Sequence, residues 1–268
     1  MSDTASDETL MLLYREGEGE AFDALYARHK GPLYRYLLRQ LSETEPAEAL
    51  FEDIWMSLIA ARADYRPRSD FRRFFYRLAE DRLTDHRHRA GHIMGLDDDC
   101  FDALPDVGGE TMTAEGHPQD TLLLEVRTLP DTQRAVFLLK EEAGLDLDGV
   151  AAVLKLERDT AQHRLRAAVR RLRSRWASGR PDKGKVVSLL DEVDPLISAT
   201  YRDAAREIPA QAMDEKILTA AHASVASLEP VTDVAADRSR GMAARVGWIV
   251  AGLVTGLVVA VYALKWLR

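Results

Sequence analysis

The stretch Leu129–Trp176 constrains the fold most, because its punctuation divides it into two short helices and one longer, Arg-rich helix. Leu129-Pro130-Asp131 supplies a stop, a ring that fixes φ and a helix cap. The spacing then predicts a helix over Thr132–Ala143, with Val136, Leu139 and Ala143 on one face and Gly144 closing it. Asp146 can cap a second helix in which Val150, Val153 and Leu154 recur at helical spacing, and Lys155-Leu156-Glu157 is short enough to turn the chain sharply. From Thr160 to Trp176, Ala161, Leu165, Ala168, Val169, Leu172 and Trp176 keep helical period, while Arg164, Arg166, Arg170, Arg171, Arg173 and Arg175 occupy the rest. The arrangement is that of a helix-turn-helix.

Between Glu157 and Arg180 there are eight Arg and two acidic residues, a local net of 8 − 2 = +6 in a chain whose total is −8. A solvated basic face would account for the charge alone. With two helices and a tight turn in front of it, the geometry fits a recognition helix in the major groove. Arg158, Thr160, Gln162, His163 and Arg164 then sit at base edges, and Arg166, Arg170 and Arg171 lie against phosphates.

A length of 268 residues suits about two domains, and 46% hydrophobic with 30% charged residues is a globular balance. The single cysteine, Cys100, rules out an internal disulfide and a cysteine-built zinc site and fits a reducing compartment. Residues 1–20 form an acidic N-terminal segment without a basic and then apolar leader, so the globular part is expected to stay inside the cell. No phosphate-binding loop, metal-ligand cluster or nucleophile constellation is present. His86, His88 and His92 lie among arginines that would repel a cation, so neither enzymatic activity nor a cofactor or metal is expected.

Residues 21–91 form the first predicted domain. Ala21–Leu41 carries Phe22, Leu25, Tyr26, Leu33, Leu37 and Leu41 at helical spacing, and Gly31-Pro32 predicts a kink or restart. After a Glu43–Pro46 loop, Ala47–Ala63 presents Ala47, Leu50, Phe51, Ile54, Trp55, Leu58 and Ile59 as one unbroken stripe. Ser69 or Asp70 can cap the next helix, where Phe71, Phe74, Phe75, Tyr76 and Leu78 interleave with Arg72, Arg73, Arg77, Arg82, Arg87 and Arg89. Aromatics among arginines suit nucleic acid, since bases stack on rings while guanidinium groups hold the backbone. Spacing assigns most of these aromatics to the core and leaves Tyr76 and the arginines for that role.

Residues 92–120 hold eight Asp or Glu, no Lys or Arg, Gly108-Gly109 and two prolines, which reads as an acidic flexible linker. Its eight charges equal the net charge of the whole chain, so the acidic total does not argue against DNA.

At this point the residues carry a resemblance. Ala21–Arg89, an acidic linker and Leu122–Arg175 together resemble an extracytoplasmic-function (ECF) sigma factor, in which two helical domains, regions two and four, bind RNA polymerase and promoter DNA. The resemblance rests on Ala21-Phe22-Asp23-Ala24-Leu25-Tyr26, on Pro46-Ala47-Glu48, and on Phe71-Arg72-Arg73-Phe74-Phe75-Tyr76-Arg77-Leu78-Ala79 with Asp85. In the second domain, residues 121–177, it rests on Leu129-Pro130-Asp131-Thr132-Gln133-Arg134-Ala135-Val136-Phe137, Thr160, Arg164, Leu165 and Arg171-Leu172-Arg173. It implies that Glu48, Ala49, Glu52 and Asp53 meet core polymerase. Arg72, Arg73, Tyr76, Arg77, Asp81 and Asp85 would read or melt the −10 element. Ala47-Glu48-Ala49-Leu50-Phe51-Glu52 departs from the Ala-Glu-Asp-Leu-X-Gln common in the family by losing one carboxylate and turning the Gln into Glu. Other departures are Phe74-Phe75, Asp81, His88, Gly149 inside a short helix, and Lys155 where Gly is usual.

Residues 178–245 read as a hinge, Ser178–Lys185, and cytoplasmic spacer helices over Val186–Val193, Pro195–Glu207 and Met213–Ala223. Parts of this segment resemble the cytoplasmic portion of some anti-sigma-like proteins. Val246–Leu264 has no charge and would span about 28 Å as a helix against a bilayer core of ~30 Å. Trp248, Tyr262 and Trp266 near its ends, flanked by Arg245, Lys265 and Arg268, complete a predicted transmembrane helix over 246–267.

The expected protein is all-α: two small helical domains, a region two-like bundle and a region four-like helix-turn-helix, joined by the acidic linker, then C-terminal helices and one transmembrane helix. Its partners would be core RNA polymerase, promoter DNA, the membrane and an anti-sigma factor. Its place would be the cytoplasmic membrane, single-pass, with the N-terminal domains in the cytoplasm. The rival readings are a membrane-bound helix-turn-helix regulator that no longer engages polymerase, and an interaction protein that sequesters a partner sigma factor.

Overall fold

Helical spacing of apolar side chains governs the regular elements, and the computed structural model describes residues 5–41, 43–67, 70–89, 118–176 and 193–226. Among these the regular elements are helices, in agreement with the all-α expectation. The N-terminal segment is more than an acidic tail. Ser6 caps α1 (Asp7–Glu16) by accepting a hydrogen bond from the Thr9 amide, and Gly17 ends it at φ 112°. Leu10, Met11 and Tyr14, spaced to share one face, are wholly buried against α2 (Gly19–Gln40).

The restart that Gly31-Pro32 could have caused does not occur, and α2 runs as one helix from Gly19 to Gln40 with Pro32 inside it. Proline removes one backbone donor, but Leu33, Tyr36 and Leu37 immediately beyond it are fully buried, and their packing carries the helix on. The next helix starts earlier than predicted. α3 (Thr44–Ala60) takes Pro46 into its first turn, where the missing N–H has no intrahelical partner to lose, and a 3₁₀ turn follows over Ala61–Asp64. Asp70 caps α4 (Phe71–Arg89) by accepting from the Arg72 and Arg73 amides at 2.8 and 3.3 Å.

Aromatic side chains fill the space between α1 to α4. Trp55 sits 4.8 Å, centroid to centroid, from both Tyr26 and Phe75, and Phe22 lies 4.9 Å from Tyr14 in tilted geometry.

The second helical set begins at α5 (Pro118–Arg127), inside the tail of the predicted linker. It continues with α6 (Asp131–Glu141), α7 (Leu147–Leu154) and α8 (Arg158–Trp176). Asp131 is the first residue of α6 rather than its cap, and it pairs with Arg134 one turn on. Arg134 is buried and donates to the Arg127 and Leu129 carbonyls at 2.9 and 3.0 Å, so this motif arginine ties down the turn before α6. Gly144 (φ 61°) and Lys155 (φ 57°) make the two sharp turns, and Lys155 is the single non-glycine residue at positive φ among those described.

Two further helices, α9 (Pro195–Ala204) and α10 (Gln211–Ala226), fall close to the predicted spacer helices but do not act as spacers. α9 packs on α5 and α8, and α10 packs on α2 and α3. Most of the acidic linker, the Ser178–Lys185 hinge and the apolar stretch Val246–Leu264 lie outside the described residues. Among those described, no helix is long and apolar enough to cross a membrane.

Candidate nucleic-acid interface

α8 buries Ala161, Leu165, Ala168 and Leu172 against α6 and α7, which turns its other side outward. Arg158, His163, Arg166 and Arg170 are exposed, while Thr160, Gln162, Arg164 and Arg171 are half-buried. Arg158 also pairs with Asp148 of α7 at 3.0 Å, so its contact with a base would require exchange of that partner. Toward the end of α8 the basic residues serve the fold: Arg173 donates through Nε to Asp194 at 2.6 Å and Arg175 lies 3.4 Å from Glu125. The outward basic surface is therefore concentrated between Arg158 and Arg170.

Asp146 performs the capping role expected of it, accepting from the Gly149 amide at 2.7 Å. That bond, with Arg73 beside it, holds its carboxyl below the usual carboxylate range. The partner comes from the other helical set, since Arg73 Nη2 donates to Asp146 at 2.9 and 3.2 Å. Arg77 donates to the Ala152 carbonyl at 2.7 Å, Arg72 to the Gly144 carbonyl at 3.3 Å, and Lys155 to Asp81 at 3.3 Å. Four of the six residues assigned to −10 reading thus meet α7 or its flanking turns.

Tyr76 is a correction. Spacing leaves it free for a base, yet it is wholly buried, 5.5 Å from Tyr36 in edge-to-face geometry, and burial pushes its phenol far above the ordinary range. A helix stripe in this bundle is wide enough to enclose it because α3 and α7 both pack on α4 and Tyr36 reaches across from α2. Arg87 is buried as well, donating to Gln40 at 2.8 Å, and Arg82 turns to Ser57 at 2.8 Å and Asp53 at 3.5 Å. Asp85 remains exposed.

On α3, Ala49 is exposed, and Glu48, Glu52 and Asp53 are half-buried. Each of these carboxylates has an internal partner: Tyr34 donates to Glu48 at 3.2 Å, Lys216 of α10 to Glu52, and Arg82 lies beside Asp53. Sequence reasoning missed the cover that α10 gives to this face. The signal was the spacing of Met213, Ile217 and Ala221 at i, i+4 and i+8, an apolar stripe that needs a surface to bury against.

The helices α2 to α4, with their capped, Arg-lined last member, are the part of the chain that matches a known family model. Residues 25–93 match Sigma-70 region 2. The chain is 21% identical to the RNA polymerase sigma-H factor of Pseudomonas aeruginosa over 169 residues, which cover 59% of this chain and 88% of the relative. It is 25% identical to the RNA polymerase sigma factor CarQ of Myxococcus xanthus over 165 residues, 60% of this chain and 91% of the relative. Similar solved structures are CnrH in complex with the cytosolic domain of CnrY, at 19% identity, TM-score 0.47 and coverage of 63% of this chain and 96% of that one. Another is the sigma factor RpoE with the anti-sigma factor NepR from Bartonella quintana, at 17% identity, TM-score 0.47 and coverage of 60% and 99%. Over about three-fifths of its length the chain is similar to RNA polymerase sigma factors.

Proposed function

We propose that the protein is an ECF-type sigma factor that directs core RNA polymerase to specific promoters and acts without enzymatic activity of its own. The observation that carries this reading is the co-occurrence of a Sigma-70 region 2 match at residues 25–93 with a separate Arg-rich helix-turn-helix at α6 to α8. In this reading α3 offers its carboxylate face to polymerase, α4 reads the −10 element and α8 enters the major groove upstream. The uncharged stretch Val246–Leu264 would hold the chain to the cytoplasmic membrane with the N-terminal domains inside, where DNA is; Arg238, Arg240 and Arg245 outnumber Lys265 and Arg268 around it, in line with a positive-inside orientation.

Run-off transcription with purified core polymerase and a library of promoter fragments tests the reading. A sequence-specific transcript that depends on the chain supports it. DNA binding without polymerase binding would instead favour the membrane-bound regulator, and capture of another sigma factor without either would favour sequestration. For the tether, the expected outcome is that the full chain sediments with membranes and resists alkaline carbonate; extraction by carbonate would remove the anchor.

A further inference from the structure

The last described helices hold the two helical sets together from both sides. α9 inserts Tyr201 edge-on against Phe137 of α6, at 5.4 Å between centroids, and its hydroxyl donates to Glu142 at 2.8 Å. The same Glu142 receives Arg35 of α2 at 2.9 Å, and Arg39 of α2 donates to Glu207 just beyond α9 at 2.5 Å. α10 then buries Met213, Ile217 and Ala221 along α2 and α3. Asp214 accepts from Tyr26 at 2.7 Å and Lys30 at 2.5 Å, His222 meets Asp23 at 2.8 Å, and Lys216 pairs with Glu52. Tyr14 and Arg62 close its far end at Ser224, at 2.8 and 3.0 Å.

From this arrangement we infer that residues 195–226 are an inhibitory clasp in cis, with α10 occupying the α2–α3 surface on which polymerase would dock and α9 fixing the helix-turn-helix over the reading face of α4. The proposal rests on the sigma-factor reading of those two faces. Its logic is steric and electrostatic. Glu52 cannot serve an outside cation while Lys216 holds it. Arg72, Arg73 and Arg77 cannot meet a DNA strand while they donate to Gly144, Asp146 and Ala152. The exposed arginines of α8 are left outward, so the closed chain keeps its helix-turn-helix surface while losing the α4 surface. Activation is then release of α10, and a polymerase that binds only the released form sees a weaker apparent affinity by the fraction released.

The test uses the full chain in detergent with purified core polymerase. Asp214→Lys combined with Lys216→Glu places like charges opposite Lys30 and Glu52 and should free α10 without altering α3. If the wild-type chain is open a tenth of the time, the variant binds core about tenfold more tightly. Hydrogen exchange of the wild-type chain gives a second readout that needs no variant: amides of 212–226 should be protected in the free chain and lose that protection when core is saturating. Equal core affinity of variant and wild type, with protection of 212–226 unchanged in the complex, overturns the clasp and leaves the sigma-factor reading standing. Absence of core binding by both proteins overturns the sigma-factor reading, and the clasp falls with it.

Discussion

Arg73 of α4 donates to Asp146 at 2.9 Å while Asp146 caps α7, so one carboxylate starts the middle helix of the helix-turn-helix and anchors it to the other helical set. The two roles separate chemically. Asparagine keeps an oxygen for the Gly149 amide and loses the charge that Arg73 needs, whereas alanine loses both.

Asp146→Ala is therefore expected to lower stability by about 1–2 kcal/mol, the range for loss of an N-cap. Asp146→Asn should cost under about 1 kcal/mol, because the Arg73 pair is largely exposed and screened. Urea denaturation of the two variants checks this, and equal losses would deny Asp146 its capping role.

Gly149 gives a second test. In a helix interior Gly→Ala ordinarily gains about 1 kcal/mol, but a Cβ here would meet Asp146 Oδ1 at 2.8 Å and Arg73 Nε at 3.0 Å. The first atom is fixed by its cap bond, so it cannot move away cheaply. Gly149→Ala is expected to show no gain in stability and to weaken the α4–α7 contact, visible as raised hydrogen exchange in 72–77. A stability increase of about 1 kcal/mol would show that the space is not constrained.

This glycine marks where the sequence stops being legible. Local patterns carry the elements: the Asp146 cap, the αL turn at Lys155, the α3 stripe and the exposed basic side of α8 are all written in residues within one turn of each other. What patterns within one helix cannot carry is which helix faces which. Gly149 reads as a flaw until Arg73, far away in sequence, is seen against it. Tyr76 reads as free because periodicity does not say how many neighbours enclose a helix. α9 and α10 were legible as amphipathic helices, yet the partner of their apolar stripe is set by tertiary packing alone. Pro32 shows the converse, a strong local signal overridden by buried neighbours on both sides.

Lys155 holds αL geometry at φ 57° and ψ 41°, a conformation that costs a side-chain-bearing residue about 1–2 kcal/mol. Lys155→Gly should remove most of that strain, offset by the greater entropy of glycine in the unfolded chain and the exposed Asp81 pair at 3.3 Å. The expected net is a gain of roughly 0.5–1 kcal/mol in thermal or urea unfolding. A loss would mean the Lys155–Asp81 contact matters more than the backbone.

Acid should loosen the N-terminal helix first. The hydrogen bond from His29, supported by Arg28, pulls the Asp7 carboxyl from an ordinary 3.8 down to about 2. Because the folded value lies below the unfolded one, this contribution is present above about pH 4 and is lost as pH falls toward 2. Asp7→Asn should flatten the stability profile between those values and leave its shape above pH 5 unchanged. An acid limb as steep as that of the wild type would place the effect on another carboxylate.

The last prediction concerns α8 and separates its two kinds of arginine. If roughly four of its arginines meet phosphates, log K for DNA falls with log salt at a slope near −3.6, and removing one brings the slope to about −2.7. Arg166→Ala and Arg170→Ala, both at exposed positions, should each show that smaller slope with little change in sequence preference. Arg164 lies nearer the start of the helix and is half-buried, so Arg164→Ala should cost about 1–3 kcal/mol on the preferred sequence and much less on unrelated DNA, as expected for a base contact. Mobility shifts across a salt series on both DNAs distinguish these outcomes. An Arg164 variant that weakens both DNAs equally would move that residue from the bases to the backbone, and unchanged slopes for Arg166 and Arg170 would take the outward face of α8 off the DNA altogether.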